Sequence, residues 1–322
     1  MPVLQLFAPI IADMEAVDAL IRTRLHSDIA LIRQVAEYII HSGGKRLRPA
    51  LLLFAANALG YRGVHHHELA AVVEFIHTST LLHDDVVDES GLRRGNKTAN
   101  ALFGNAAPVL VGDFLYSRAF QMMVSVDDMR VMQVLAEATN TIAEGEVLQL
   151  LNCHDADVTV GGYLQVIRCK TAKLFEAAAR LGAILAGADA AIEQALAGFG
   201  MHLGTAFQII DDVLDYSADE AETGKHLGDD LAEGKPTLPL IHVMQHGTPE
   251  QAACVRRAIE SGGLDDFALV LDAIEATGAL EATRAQARAE AALALVALQK
   301  LPPSIFRDAL LELADFAVSR GF

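Results

Sequence analysis

The sequence predicts an all-α protein. Three observations carry that expectation. Apolar residues recur at helical spacing almost throughout, no segment alternates with period two between turn signals, and Gly and Pro fall where the helical runs break. In chain order, the spacing predicts helices over 11–24 and 28–41, the second ended by Gly43-Gly44. Pro49 can open the next helix, 49–60, at its first position. His65-His66-His67 follows Gly63 in a polar connection and reads as a solvated loop. Helices over 66–89, 98–104, 109–125, 129–151, 160–187 and 189–218 come next. The stretches 49–60, 98–125 and 176–210 are apolar nearly all round, as in the centre of a large bundle or a subunit interface. Helices over 237–246, 249–261, 265–276, 278–299 and 304–319 complete the chain, with breaks at Gly262-Gly263 and Pro302-Pro303. The Ala-rich last sixty residues carry no chemical motif and read as a packing cap. No tandem repeat or long linker divides the chain, so one helical domain over 1–322 is expected.

Composition excludes several functions. The chain has 322 residues, 52% of them hydrophobic, so it is not disordered. A formal net charge of −17 argues against a nucleic-acid surface and against strong anchoring to anionic lipid. Cys153, Cys169 and Cys254 are too few and too scattered for a disulfide framework or a zinc site, and they fit a reducing cytoplasm. The first fifteen residues carry Asp13 and no basic segment, unlike a signal peptide. The longest uncharged stretch, Gln194 to Ile210, is too short and too polar to span a bilayer.

The chemical signal is Asp84-Asp85-x-x-Asp88, repeated as Asp211-Asp212-x-x-Asp215. On a helix, residues four apart share a face, so each motif aims its first and last carboxylates the same way. Both motifs close strongly apolar runs, where acids oppose the helix dipole and repel one another. Something cationic should compensate. Hard divalent cations take oxygen ligands, and Mg²⁺ sits between a few carboxylates and substrate phosphates.

The basic residues point to the same anion. Of seven lysines, six (Lys45, Lys97, Lys170, Lys173, Lys225 and Lys235) lie in or beside the short motifs. Gly43-Gly44-Lys45-Arg46-Leu47-Arg48-Pro49 places bases on a loop before a helix N-terminus, a natural phosphate site. Arg93-Arg94 follow the first acidic motif. Lys170-Thr171 and Gly234-Lys235-Pro236-Thr237 add further donors.

The order of these motifs resembles the trans-polyprenyl diphosphate synthases. It also includes Gly112-Asp113-Phe114-Leu115, Gly145-Glu146, Lys170-Thr171-Ala172-Lys173-Leu174 and Phe207-Gln208 ahead of the second acidic motif. The resemblance implies a helical bundle of the isoprenoid synthase type with a deep central cavity. It also implies condensation of isopentenyl diphosphate with an allylic diphosphate such as farnesyl diphosphate. Lys45, Arg48, His77 and Arg94 would hold isopentenyl diphosphate. Arg93, Lys170, Thr171, Gln208, Lys225 and Lys235 would grip the allylic diphosphate. Asp84, Asp88, Asp211 and Asp215 would bind Mg²⁺, three ions with substrate present, with Asp85 and Asp212 supporting them. Catalysis would centre on Asp84, Asp88, Asp211 and Lys170. A homodimer, a product of about C40 for quinone side chains such as that of ubiquinone, and at most transient membrane contact are also implied.

Product length has a local argument. Ser79 and Thr80 stand about one turn before Asp84, where short-chain relatives carry bulky aromatics, so small residues here leave an apolar channel open. Met122, Met123 and Leu135 fall on helices that could close its far end. Glu74-x-x-His77 mimics half of a di-iron carboxylate site, but no second Glu-x-x-His follows. Two rivals are a terpene cyclase and a non-catalytic subunit of a heteromeric prenyl synthase. The complete second aspartate motif and the Lys45–Arg48 loop disfavour the first. The intact set of aspartates disfavours the second.

Overall fold

A computed structural model describes residues 6–41, 44–93, 95–217 and 227–319. Arg94, Lys225 and Gly43 lie outside the described residues. The described chain is almost entirely helical, and its helices group into two compact units. Unit 1 comprises residues 1–139, 174–200 and 297–313, and unit 2 comprises 140–173, 201–296 and 314–322.

In unit 1, α1 (Ile11–Arg24), α2 (Ala30–His41) and α3 (Leu47–Ala58) precede the long α4 (His65–Val87). Every residue of α3 from Leu51 to Ala56 is fully buried, as its all-round apolar sequence requires. Helix α4 packs most extensively on α6 (Ala106–Ser125), which follows the short α5 (Ala99–Phe103). Phe54, Phe75, Phe175 and Phe199 fill the core of this unit.

Three local expectations are corrected. Helix α3 begins at Leu47, so Pro49 stands third, where its missing N–H is still one of those without an intrahelical partner. His65, His66 and His67 form the first turn of α4 rather than a loop, and His66 is only 6% exposed. Between α4 and α5 a two-residue hairpin pairs β1 (Leu92–Arg93) with β2 (Asn96–Lys97), where no strand was expected. It is too short to show a period-two pattern.

Beyond α7 (Met129–Asn152), the predicted helix 160–187 is broken in register. It runs as α8 (Val160–Ile167), a π turn at Arg168–Ala172, and α9 (Lys173–Leu185). Gly187, at φ +65°, ends α9 in the left-handed conformation. The Asp189 carboxylate then accepts from the N–H groups of Ala191 and Ile192, both at 2.9 Å, opening α10 (Ala190–Leu214). In unit 2, α11 (Asp229–Ala232) and α12 (Leu238–His246) precede α13 (Pro249–Ser261), which starts on a Thr248–Gln251 capping box. Helices α14 (Phe267–Thr277) and α15 (Ala279–Ala297) follow, and α16 (Ile305–Ser319) ends the described chain.

Glu290 on α15 secures the π turn. Its carboxylate, nearly buried, accepts from Arg168 at 3.0 Å and from His202 Nδ1 at 2.6 Å. Burial pushes this carboxyl up, but His202 and Arg168 outweigh it and hold the group below the usual glutamate value. A carboxyl depressed in the folded state stabilises above its unfolded pKa, and that stability is lost as pH falls through the folded value. Glu290→Gln is therefore expected to lower urea stability at neutral pH by about 1–2 kcal/mol, since both partners are partly exposed. The gap from the parent protein should close below the ordinary value of 4.5.

Candidate active site

The first acidic motif ends α4. Asp88 caps the helix, its N–H donating to the Asp84 carbonyl at 2.8 Å. The chain then turns through Glu89 at φ +50°, and the hairpin returns Arg93 to the motif. Its guanidinium donates to Asp85 Oδ1 at 2.8 Å from Nε and 2.7 Å from Nη2. Asn100 donates to the Asp85 and Ser90 carbonyls at 3.0 and 3.1 Å, tying α5 to the end of α4. Asp85 is 0% exposed, whereas Asp84 and Asp88 are half-buried. Burial raises the Asp85 carboxyl, Arg93 opposes that, and the neighbouring Asp84 and Asp88 charges add to it.

The bases around Pro49 divide their work. Arg46, in the left-handed conformation at the start of α3, pairs with buried Glu74. Arg48 Nη1 lies 3.0 Å from His77 Nε2, and its guanidinium stacks 4.4 Å from the Phe175 ring centroid. Lys45 is exposed beside them in sequence. The structure thus brings Arg48 and His77 together. It also places Glu74 in an ion pair with Arg46.

Unit 2 repeats the aspartate pattern. Asp212 is 2% exposed, and Asp211 and Asp215 are half-buried. The Tyr163 hydroxyl donates to Asp212 Oδ2 at 2.6 Å, and Gln208 Nε2 donates to Oδ1 at 2.9 Å. Thr171 in turn donates to Gln208 Oε1 at 3.0 Å. Burial drives the Asp212 carboxyl well above its ordinary range, the Asp230 and Asp211 charges add to this, and the two donors oppose it. The Asp230 N–H donates to Asp215 Oδ2 at 3.2 Å. Lys170 pairs with Glu146 at 2.6 Å, and Lys235 pairs with Glu233. Lys170, Thr171, Gln208, Asp212 and Lys235 line one cavity of about 140 Å³.

Gly145 explains the neighbouring Glu146. A Cβ at Gly145 would stand 2.6 Å from the Lys170 backbone nitrogen and 2.9 Å from Cys169 Cβ. Only glycine lets α7 approach the π turn this closely and carry Glu146 to Lys170. Gly145→Ala is expected to displace the Lys170–Thr171 segment and cut turnover by about tenfold, measured as kcat with helix content unchanged by circular dichroism.

Ser79 and Thr80 separate in role. Ser79 is 1% exposed, its hydroxyl donating to the Gly112 carbonyl on α6 at 2.8 Å. Thr80 is half-buried and donates to its own helix at His77 O, 2.9 Å away. Met122, Met123 and Leu135 are buried in unit 1.

The sequence reading missed Tyr163 and Asp230 as site residues. Asp230 follows Asp229 in an acidic pair, and Tyr163 precedes Lys170 by seven residues, a helical same-face spacing that was the available signal.

The donor chemistry fits Mg²⁺. Each motif offers two half-buried carboxylates four residues apart, with the intervening aspartate tied into the protein. Asp84 and Asp88 in unit 1 could hold such an ion, and so could Asp211 and Asp215 in unit 2.

Comparison with known proteins agrees with this chemistry. Residues 29–275 match the Polyprenyl synthetase family model. Octaprenyl diphosphate synthase of Escherichia coli (strain K12) is 57% identical over 309 residues, 96% of each chain. The crystal structure of polyprenyl synthase from Caulobacter crescentus CB15, complexed with calcium and isoprenyl diphosphate, superposes with a TM-score of 0.95. It is 48% identical, with 99% of this chain and 98% of that one covered. A decaprenyl diphosphate synthase from Rhodobacter capsulatus gives a TM-score of 0.93 at 48% identity, with 98% of both chains covered. With the motifs in order and matching coverage from end to end, the chain belongs to the polyprenyl synthetase family, sharing its all-helical isoprenoid synthase fold and its metal-dependent prenyltransferase chemistry.

Proposed function

We propose that this chain condenses isopentenyl diphosphate onto an allylic diphosphate such as farnesyl diphosphate, and repeats the step to a product of about C40. The observation that carries this reading is the doubled aspartate motif. In each copy a buried central carboxylate is fixed by hydrogen bonds and the two outer ones are presented from a helix end. The 57% identity to an octaprenyl synthase supports the length.

In this mechanism the allylic C1–O bond breaks, the isopentenyl C4 bonds to C1, and a proton passes from isopentenyl C2 to the departing diphosphate. Bound Mg²⁺, three ions with substrate present, would neutralise the diphosphate that departs. Asp84 and Asp88, with Asp211 and Asp215, would hold those ions. Lys170, Thr171, Gln208, Lys235, Arg93 and Lys225 would orient the allylic diphosphate. The positive charge of the lysines and arginines among them opposes the negative charge that grows on the leaving group, which is the differential stabilisation catalysis needs. Lys45, Arg48, His77 and Arg94 would hold isopentenyl diphosphate. Apolar walls would exclude water from the electron-poor carbon. The chain is read as one catalytic domain over 1–322. Ser79, Thr80, Met123 and Leu135 would set product length.

The chain is read as a cytoplasmic homodimer supplying a quinone side chain, such as that of ubiquinone. Leu102, Phe103, Val109, Leu110 and Val124 are exposed on α5 and α6, an apolar surface of the kind a second copy would cover. Among the described residues no helix is long and apolar enough to cross a membrane, which supports transient contact at most during product release. Nucleic acid is not expected as a partner.

The test is incubation with isopentenyl and farnesyl diphosphates, with and without Mg²⁺, then chromatography of the dephosphorylated products. A ladder ending near C40 only with Mg²⁺ supports the reading. A cyclised hydrocarbon, or no product, overturns it. Sedimentation as a monomer would remove the dimer.

A further inference from the structure

Away from the aspartate motifs, the far end of α4 carries a cluster of a different chemical kind. Asp13 on α1 meets His66 and His67 in the first turn of α4, and one ligand atom from each lies within 4.8 Å of the others. His67 Nε2 stands 2.9 Å and His66 Nε2 3.4 Å from the same Asp13 oxygen, Oδ1. The two imidazoles lie face to face, their centroids 3.9 Å apart and their planes 30° from parallel.

We propose that Asp13, His66 and His67 form a binding site for a late first-row divalent cation, best matched by Zn²⁺, which clips α1 to the start of α4.

Four observations carry this. First, the separations suit a shared ion, since ligands about 2.0–2.1 Å from a tetrahedral Zn²⁺ lie about 3.3 Å from one another. Second, Asp13 is oriented as ligating carboxylates are. Asn57 Nδ2 donates to Oδ2 at 2.9 Å and is itself placed by the Leu53 carbonyl at 3.0 Å, which leaves Oδ1 to the histidines. Third, His66 is 6% exposed and its Nδ1 is buried with no hydrogen-bond partner, while its ring is held edge-on by Tyr61 at 5.3 Å. The ring is thus fixed by packing, with Nε2 aimed into the cluster. Fourth, the donor set selects the metal. Two imidazoles and one carboxylate suit Zn²⁺, Co²⁺ or Ni²⁺, and they suit Mg²⁺ poorly. A helix N-terminus disfavours a cation, so the Asp13 charge is essential here. The adjacent Glu68 is paired with Arg24 at 2.9 Å. Three protein ligands leave a fourth position for water, so the site would be exchangeable rather than permanently filled.

The test uses the metal-stripped full-length chain with Mg²⁺ in excess, titrated with Co²⁺ and followed by the visible bands of tetrahedral cobalt. One saturable site is expected, emptied by Zn²⁺ and indifferent to further Mg²⁺. Asp13→Asn and His67→Gln should each weaken Co²⁺ binding by at least about tenfold, and Asn57→Ala, which removes a positioning residue, by about tenfold. Zn²⁺ should raise the melting temperature of the parent chain and not that of His67→Gln. A second histidine pair, His242 and His246, stacks on α12 with centroids 4.2 Å apart and serves as the control. The proposal is overturned by absence of a saturable band, by a band that survives His67→Gln, or by one that is lost in His242→Gln. His67 is half-buried, so His67→Gln should keep the fold if Asp13→Asn does not.

Discussion

Asp84→Ala and Asp211→Ala are each expected to reduce turnover by about 10³-fold while leaving the melting temperature unchanged or slightly raised. Removing one preorganised charge-stabilising group commonly costs 10²–10³ in kcat, and a carboxylate that places a metal also governs where the ion sits. Stability should move the other way. Both aspartates are half-buried near a helix C-terminus, where an acid opposes the dipole by about 0.3–1 kcal/mol and repels its neighbours. Asp212→Ala provides the contrast. It strands the buried Tyr163 hydroxyl and the Gln208 amide, so about 1–3 kcal/mol of stability should go with the activity. Steady-state kinetics and thermal melts on the three variants decide the matter. A loss below tenfold in Asp84→Ala, or a clear drop in its melting temperature, would make the motif structural rather than catalytic.

Ser79→Phe is expected to shorten the product by at least two isoprene units. Ser79 is sealed against α6, with its hydroxyl on the Gly112 carbonyl and Gly112 itself without a side chain. A phenyl ring there cannot keep that contact, at a cost of about 1–3 kcal/mol for overpacking, and under the proposed role of Ser79 it would stand in the path of the growing chain. Thr80→Phe meets a half-buried position and should shorten the product with less loss of stability. Chromatography of the dephosphorylated products reads the length. An unchanged ladder from a folded Ser79→Phe would mean that growth is limited elsewhere.

Helix positions were readable because the apolar period and the punctuation agree. The predicted helix 249–261 is α13 residue for residue, and 129–151 and 304–319 emerge within a residue of their predicted ends. What escaped was local geometry that leaves the period intact. The π turn at 168–172 inserts into a helix whose apolar pattern continues on both sides. The histidines at 65–67 look polar in sequence, but His66 is buried because Asp13, far away in the chain, supplies its partner. Long-range partners explain the other omissions. Tyr163 reaches Asp212 across 49 positions, and nothing in the Asp211–Asp215 string names its hydroxyl. Arg46 was legible as a base and not as the mate of Glu74.

The extra residue in the helix around Lys170 makes this stretch sensitive to length rather than to composition. Losing any one residue from it would heal the rod into regular winding and swing everything upstream by about 100° relative to everything downstream. The result would look better built and would no longer offer lysine and threonine to the same neighbours. A single-codon deletion here should therefore be far more damaging to prenyl transfer than most replacements in the same five positions.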